Sequence, residues 1–311
     1  MLPKPLNARR IAFFGGIYSN YLALEALLED ARERAVERLY CLGDLGAFGP
    51  LPDRACDILR ETGIPVVQGN YDNSVGNRLA DCQCGYTDPR DNYFAKVSYD
   101  YTFRHTSSEN KTWLRNLPAE LRFRLGSFRV LLCHGSPRKM NEFLWETTTS
   151  DAFLNWLFKK YHSDIIVGTH TGLHWHREPS PGKHFINCGV IGRPPNDGQK
   201  TVVYTVINAD FAINSDPVVH QPGPQSARTD PPQRILSREP PTGSAKTSAY
   251  HDTLPCHLQI DFVRLTYDDD RLATEMASEG LPDEFIETIR TGWWTTCNEI
   301  LPAKERRRGT Y

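Results

Sequence analysis

The sequence predicts an α/β fold, because short apolar runs that end in glycine and a polar residue alternate with stretches of helical spacing. One apolar run ends at Asp44 (LYCLGD) and a second ends at Asn70 (VVQGN), and residues 54–61 between them have the spacing of an amphipathic helix. This order is typical of a β-α-β unit. Ligands of open α/β sheets bind at the carboxyl ends of strands, so Asp44 and Asn70 are expected to lie at one edge of a sheet.

The same two patterns predict the other elements in order. Apolar runs predict further strands at residues 11–14, 129–133, 164–168, 185–188, 201–208 and 257–265. Helical spacing predicts a helix capped by Ser19 or Asn20 and others at residues 113–117, 152–158 and 271–311. Residues 72–106 are polar and predict a long loop that passes into a helix.

We expect one domain over residues 1–311 with an insertion and an extension. Residues 216–255 are rich in Pro, Ser, Thr, Gln and Gly, which predicts a disordered insertion between two strands of a hairpin. Residues 271–311 are then a C-terminal helical extension. The aromatic pair Trp293-Trp294 in this extension is interpreted as packing against helices.

Composition and charge limit the expected partners and compartment. The chain of 311 residues is 39% hydrophobic, is 24% charged and has a net charge of −2, so no global basic field attracts nucleic acid or anionic lipid. The first residues lack the apolar core of a signal peptide, and several cysteines lie in apolar runs, which favours a reduced, cytoplasmic protein. Cys82 and Cys84 are interpreted as two free cysteines in a loop.

Polar residues of metal-ligand type recur at the predicted strand ends. His134 follows the strand at 129–133, and His170 follows the strand at 164–168. Asp44 and Asn70 taken alone are better explained as turn residues, and a lone histidine is more often a satisfied core residue. Their recurrence at four strand ends favours a metal site with oxygen and imidazole ligands.

The order of these motifs resembles the calcineurin-like metallophosphoesterases, in particular their small bacterial phosphodiesterase branch. The motifs are GD…G, GNxD, HG and a late HT, each after a predicted strand, and the resemblance covers residues 9–208 and 257–270. It implies a four-layer αββα sandwich of two mixed β-sheets flanked by helices. It also implies a metal-dependent phosphoesterase that hydrolyses a small phosphodiester or phosphomonoester through a metal-activated water.

The resemblance implies a metal site that retains one complete ligand set. Asp44, Asn70, His134 and His170 match the four ligands of one family metal, whereas Gly16, Tyr18 and Gly172 stand where the ligands unique to the other metal are expected. The simplest interpretation is one divalent ion, Mn, Fe or Zn. An alternative is a rebuilt second site that uses Tyr18 together with His174 or His176. The two glycines are also interpreted as opening the vacated side to a substrate group.

The remaining functional candidates follow from the same motifs. Tyr71 stands where many family members have a histidine that protonates the leaving group, which predicts a preference for good leaving groups. Asp72 is expected to orient a neighbouring side chain or water. Further accessory or substrate-binding candidates are Tyr18, Asn20, His174, Arg138 and Arg90. Two other functions stay open: an altered or inactive member that binds a phosphorylated ligand or partner, and different metal chemistry at the same site.

Overall fold

The computed structural model describes residues 5–6, 8–211 and 255–306. Its strands are β1 (Pro5–Leu6), β2 (Arg10–Phe14), β3 (Arg38–Cys41), β4 (Leu121–Leu125), β5 (Phe128–Leu132), β6 (Ile165–Gly168), β7 (His174–Ser180), β8 (Lys183–Cys188), β9 (Val202–Phe211) and β10 (Pro255–Leu265). Its helices are α1 (Tyr21–Glu33), α2 (Pro52–Thr62), α3 (Asn70–Gly76), α4 (Pro89–His105), α5 (Ser108–Arg115), α6 (Asp151–Tyr161), α7 (Asp269–Ser278), α8 (Asp283–Thr291) and α9 (Ala303–Arg306).

The strands form two mixed sheets, one with the order β1-β4-β5-β6-β8-β7 and one with the order β10-β9-β2-β3. Parallel pairs such as β2–β3 and β5–β6 occur beside antiparallel pairs such as β9–β10. The antiparallel pairing of β9 with β10 confirms the predicted hairpin. The insertion predicted at 216–255 lies, except for its last residue, outside the described residues.

The two sheets pack face to face because their strands alternate between an inner and an outer apolar face. Tyr40 of one sheet stacks between Phe13 of the same sheet, at 5.8 Å, and Phe123 of the other sheet, at 5.1 Å between ring centroids. Phe14, the neighbour of Phe13, points to the opposite face and joins the cluster formed with α1, α2, α4, α7 and α8. Helix α6 packs Leu157 and other apolar residues on the outer face of the six-stranded sheet. The predicted four-layer αββα sandwich is confirmed.

Three local predictions are wrong in whole or in part. The run at Val66-Val67 forms only a single parallel bridge from Val66 to Cys41, because the chain turns away at Gly69 into α3. The loop predicted within residues 72–106 does pass into a helix, α4, but it is confined to residues 77–88 because α3 extends to Gly76. Cys82 and Cys84 form a disulfide and are not free; their Cα atoms lie 5.3 Å apart, and Gln83 between them has a φ of 52°.

The C-terminal extension is helical in part. Helices α7, α8 and α9 are short, and Trp293 and Trp294 lie in the irregular segment between α8 and α9. Trp294 is buried, in agreement with the packing role predicted for it. Among the described residues, no helix is long and apolar enough to cross a membrane.

Candidate metal centre

Three strand ends from both sheets meet at the candidate site. Asp44 follows β3 of the four-stranded sheet, whereas His134 and His170 follow the neighbouring parallel strands β5 and β6 of the other sheet. Asp44 has a φ of 55° and His170 a φ of 62°, so each lies in a sharp turn that leads the chain away from its strand. The carboxyl ends of these strands therefore bring three potential ligands together, as predicted.

The ligand atoms of these three residues lie within 4.8 Å of one another and form a candidate metal-binding triad. His134 Nε2 is 3.1 Å from Asp44 Oδ2 and 3.2 Å from His170 Nδ1. All three side chains are buried, with His170 the most exposed at 8%. Two imidazoles and one carboxylate are a donor set that suits Mn, Fe or Zn.

A backbone carbonyl from the opposite sheet fixes the orientation of His134. The Nδ1 atom of His134 lies 2.6 Å from the carbonyl oxygen of Leu42, which can only accept a hydrogen bond. Nδ1 therefore carries a proton and donates a hydrogen bond to this carbonyl, and Nε2 faces Asp44 and His170. This arrangement is common for histidines that bind metals, because the second hydrogen bond fixes both the tautomer and the ring.

The charges of the triad depend on burial and on its internal contacts. Burial alone would raise the pKa of Asp44, but the neighbouring His134 and His170 lower it below its usual value. Burial alone would lower the pKa of His134, but the Asp44 carboxylate raises it. Burial and the nearby His134 lower the pKa of His170 to about 3, which keeps this imidazole neutral.

Asn70 begins α3 and has an oxygen without a hydrogen-bond partner. Its Nδ2 donates to the carbonyl oxygen of Cys82 at 2.8 Å and contacts Cys84 Sγ at 3.4 Å. Its Oδ1 is buried and has no hydrogen-bond partner among the described residues. Buried acceptors are nearly always satisfied, so an oxygen left in this way fits the role of a cation ligand.

Asp72 holds the turn that carries Asp44. Its carboxylate accepts the backbone N–H groups of Asp44 at 2.8 Å, Leu45 at 3.0 Å and Gly69 at 2.8 Å. Burial and the nearby Asp44 carboxylate raise the pKa of Asp72 to about 6. The observed partners of Asp72 are therefore backbone N–H groups, whereas the sequence leads us to expect a neighbouring side chain or a water molecule.

Tyr71 directs its hydroxyl group away from the triad. The hydroxyl donates to Ser98 Oγ of α4 at 3.0 Å, whereas the backbone N–H of Tyr71 donates to Asp44 Oδ1 at 2.9 Å. Burial raises the pKa of the Tyr71 hydroxyl well above its usual value. The contact of Tyr71 with the triad is therefore made through its backbone.

Side chains fill the positions that the two glycines leave. A Cβ atom on Gly16 would lie 2.2 Å from Val190 Cγ1 and 3.1 Å from the Cζ atom of Tyr18. A Cβ atom on Gly172 would lie 2.8 Å from the Trp294 ring. The interpretation that these glycines open the site to a substrate group is not supported, because the space beside them is occupied.

Of the other predicted candidates, Tyr18 contacts the triad through its backbone, because its N–H donates to the carbonyl oxygen of Asp44 at 3.1 Å. The remaining candidates contact groups outside the triad. Asn20 caps α1 by accepting the N–H of Ala23, and its Nδ2 donates to the carbonyl of Ile191. The His174 ring packs 4.8 Å from the Phe262 ring, and His176 Nε2 lies 3.1 Å from His184 Nδ1. Of the two arginines, Arg138 pairs with Glu142, and Arg90 lies over the Phe94 ring. None of these contacts is with Asp44, His134 or His170.

One residue near the filled positions was not singled out by the sequence analysis. Arg193 is buried, and its guanidinium carbon lies 3.4 Å from the centroid of the Trp294 ring. Its only signal in the sequence is its place in the Gly- and Pro-containing stretch NCGVIGRP, within the residues 9–208 that the family resemblance covers. The aromatic residues that surround it come from distant parts of the chain.

Comparisons with known proteins agree with this architecture. Residues 10–210 match the family model described as the calcineurin-like phosphoesterase superfamily domain. An uncharacterized protein of Methanocaldococcus jannaschii is 26% identical over 221 residues, which cover 65% of this chain and 84% of that protein.

Two solved structures share the fold over nearly their whole length. A hypothetical protein of Pyrococcus horikoshii has a TM-score of 0.64 at 17% identity, with 91% of this chain and 98% of that chain covered. A metallophosphoesterase of Sphaerobacter thermophilus has a TM-score of 0.58 at 21% identity, with 92% and 100% covered.

Proposed function

This chain belongs to the calcineurin-like phosphoesterase superfamily, and we propose that it is a metal-dependent hydrolase of a small phosphodiester or phosphomonoester. In this proposal Asp44, Asn70, His134 and His170 hold one divalent ion of Mn, Fe or Zn. The convergence of Asp44 Oδ2, His134 Nε2 and His170 Nδ1 carries the proposal, because buried groups of this kind at 3.1 and 3.2 Å form a cation site.

The filled glycine positions support a single ion. The space beside Gly16 is taken by Val190 and Tyr18, and the space beside Gly172 is taken by Trp294. A second ion would need ligand side chains at these positions or from elsewhere. His174 and His176, the proposed replacements, contact Phe262 and His184 instead.

The residues of the triad are arranged to bind a cation and to keep it partly shielded from solvent. A divalent cation supplies Lewis-acid polarisation of a phosphoryl oxygen and lowers the pKa of water, which is the chemistry that phosphoester hydrolysis needs. The carbonyl of Leu42 holds His134 in the tautomer that can bind a metal. The low pKa of His170 keeps its imidazole neutral, so one ring nitrogen has a lone pair available for a cation. The Phe143 ring covers His170, with 4.4 Å between ring centroids.

The contacts of Tyr71 favour substrates with good leaving groups. Its hydroxyl is engaged with Ser98, and its raised pKa makes it a weak acid near neutral pH. We therefore expect aryl esters to be cleaved more readily than alkyl esters. Nucleic acid and membrane surfaces are not expected as partners.

The test combines metal analysis with activity on two substrates. Protein purified without chelator is analysed for metal content and assayed on an aryl phosphodiester and an aryl phosphomonoester, beside His134→Ala and the control His105→Ala, whose ring contacts the carbonyl of Tyr101 in α4. We expect about one metal per chain with turnover, both lost in His134→Ala and kept in His105→Ala. Metal retained in full by His134→Ala would contradict the proposed site. Wild-type protein that holds metal but cleaves neither ester would instead favour a family member that binds a phosphorylated ligand or partner.

A further inference from the structure

A buried arginine lies on the side of the candidate site where the family resemblance leaves a metal position empty of ligands. Arg193 is 5% exposed. Its guanidinium carbon lies 3.4 Å from the centroid of the Trp294 ring, 5.0 Å from that of Phe48 and 5.7 Å from that of Tyr18. Three aromatic rings thus surround a positive charge, and the faces of such rings attract cations.

The guanidinium lacks the carboxylate partner that a buried cation normally has. Among the described residues, no ion pair joins Arg193 to an aspartate or glutamate, and its Nε is buried without a hydrogen-bond partner. Arg264 and Arg129, by contrast, pair with Asp197 and Asp164. Aromatic rings stabilise the charge of Arg193 but leave its N–H groups without strong acceptors, and a buried charge is costly unless it is paired. An anion from outside the chain would supply the missing acceptors.

The guanidinium lies next to the positions that have lost ligand side chains. Its Nη2 is 3.8 Å from where a Cβ atom on Gly172 would be, and Gly172 is two residues beyond His170. The Tyr18 ring, which packs beside Arg193, also covers the position of a side chain on Gly16. Both glycines stand at positions where the resemblance expects ligands of a second ion. The guanidinium of Arg193 therefore lies close to the positions of both glycines.

We propose that Arg193 is a substrate-binding residue that holds an oxygen of the phosphoryl group and supplies the positive charge on the side where a second ion is missing. This inference rests on the proposed phosphoesterase function. A guanidinium presents a planar set of N–H donors that matches phosphate oxygens. The stack on Trp294 fixes the plane of the guanidinium before the anion arrives, which limits the ordering cost of binding.

Binding of inorganic phosphate tests the site without relying on turnover. Calorimetric titrations use the full chain with its metal and after chelation, for wild type, Arg193→Met, Arg193→Lys and the control Arg271→Met. Arg271 also lies over an aromatic ring, that of Tyr21, but it pairs with Glu275. We expect Arg193→Met to raise the Kd of phosphate by about 10- to 100-fold, which corresponds to losing hydrogen bonds to a charged group. Arg271→Met should bind as the wild type does.

Two further measurements keep the result interpretable. Metal content is determined for every variant, since an unchanged metal count in Arg193→Met shows that the loss of phosphate binding is not a loss of metal. If Arg193→Met does not fold, phosphate binding by Arg193→Lys tests the inference, because lysine keeps the positive charge but not the planar set of N–H donors. An increase in Kd of more than about twofold in Arg193→Lys supports the inference.

Two results would overturn the inference. One is a Kd in the folded Arg193 variant within twofold of the wild-type value, and the other is wild-type protein that binds no phosphate in either form. Wild-type protein that cleaves no ester but binds phosphate through Arg193 would reject the phosphoesterase proposal and retain the anion site. Ester hydrolysis with an unchanged KM in Arg193→Met would retain the phosphoesterase proposal and reject Arg193 as a substrate-binding residue.

Discussion

The carboxylate of Asp72 accepts the backbone N–H of Asp44 at 2.8 Å, so one buried acid holds the turn that carries another. The same carboxylate accepts the N–H groups of Leu45 and Gly69, and thereby ties together the ends of two neighbouring chain segments. Gly43 and Gly69 allow this close approach, since a Cβ atom on Gly43 would lie 2.3 Å from the backbone nitrogen of Gly69. The position of the Asp44 carboxylate is therefore set by Asp72.

Replacing Asp72 with asparagine should weaken metal binding although Asp72 is not itself a ligand. An amide group has one acceptor oxygen instead of two, so it cannot hold all three N–H groups, and the Asp44 turn loses its support. We expect roughly a 10- to 100-fold loss of metal affinity, the range typical of residues that support ligands. Competition titration with a chromophoric chelator measures it. Asp53→Asn is the matched control, because Asp53 also accepts a backbone N–H, that of Ser107, at a different place in the fold. Equal metal affinity in Asp72→Asn and wild type would contradict this role.

The ligand positions of the candidate site could be predicted from the sequence because they are local features of strand ends. Asp44, His134 and His170 each follow a short apolar run, and the parallel order of the strands brings their ends together. Asn70 was recognised by the same pattern, although the run before it forms only one bridge. The periodicity of the sequence therefore specifies most of the site and the layer order.

Features that depend on contacts between distant segments could not be predicted in this way. Residues 70–76 (NYDNSVG) consist largely of turn-forming residues. Helix α3 forms because Asp72 accepts the N–H of Gly69 just before the helix, because Asp44 accepts the N–H of Tyr71, and because Gly76 packs closely against Arg115. The surroundings of Arg193 combine Tyr18, Phe48 and Trp294. No local pattern indicates that these residues meet.

A methyl group on Gly16 should destabilise the fold more than the same change on Gly63. Both glycines have positive φ, 49° and 66°, so alanine is strained at each. The Cβ atom on Gly63 would meet nothing within 4 Å, whereas that on Gly16 would lie 2.2 Å from Val190 Cγ1. We expect Gly63→Ala to lower the free energy of unfolding by about 1 kcal/mol and Gly16→Ala to lower it by a further 1–3 kcal/mol, roughly the cost of overpacking. Urea denaturation measures both, and equal losses would show that the space beside Gly16 is open.

Removing the Tyr71 hydroxyl should affect stability and leave catalysis unchanged. In Tyr71→Phe the hydrogen bond to Ser98 is lost, so the free energy of unfolding should fall by about 1 kcal/mol. Because the hydroxyl does not face the triad, kcat for aryl esters should stay within about twofold of wild type, a change below 0.5 kcal/mol in the barrier. Tyr93→Phe, at a tyrosine 64% exposed, is the control. A loss of kcat that grows with the pKa of the leaving group would instead identify Tyr71 as the general acid.

An ion-pair group at Asp164, just before β6 and so at the end of this strand away from His170, should make the free energy of unfolding depend on pH. Asp164 accepts hydrogen bonds from the Arg129 side chain at 2.8 and 2.9 Å, from the Arg129 backbone N–H at 2.8 Å, and from Lys183 Nζ at 2.5 Å. Burial alone would raise the pKa of Asp164, but these bonds lower it far below its usual value. The carboxylate therefore binds its proton less tightly in the folded than in the unfolded state.

The direction of the pH dependence follows from the lower pKa of Asp164 in the folded state. The stabilisation by Asp164 is fully present above the unfolded pKa of about 3.9 and is lost as the pH falls toward the lower pKa of the folded state. Asp164→Asn should lower the free energy of unfolding at pH 7 by about 1–2 kcal/mol, a range reduced because Arg129 is partly exposed. The difference from wild type should shrink as the pH is lowered from 5 to 2. Asp270→Asn, at a side chain 90% exposed, should show a small difference at every pH. A difference between wild type and Asp164→Asn that stays constant across this range would mean that the Asp164 carboxylate gains nothing from Arg129 and Lys183 on folding.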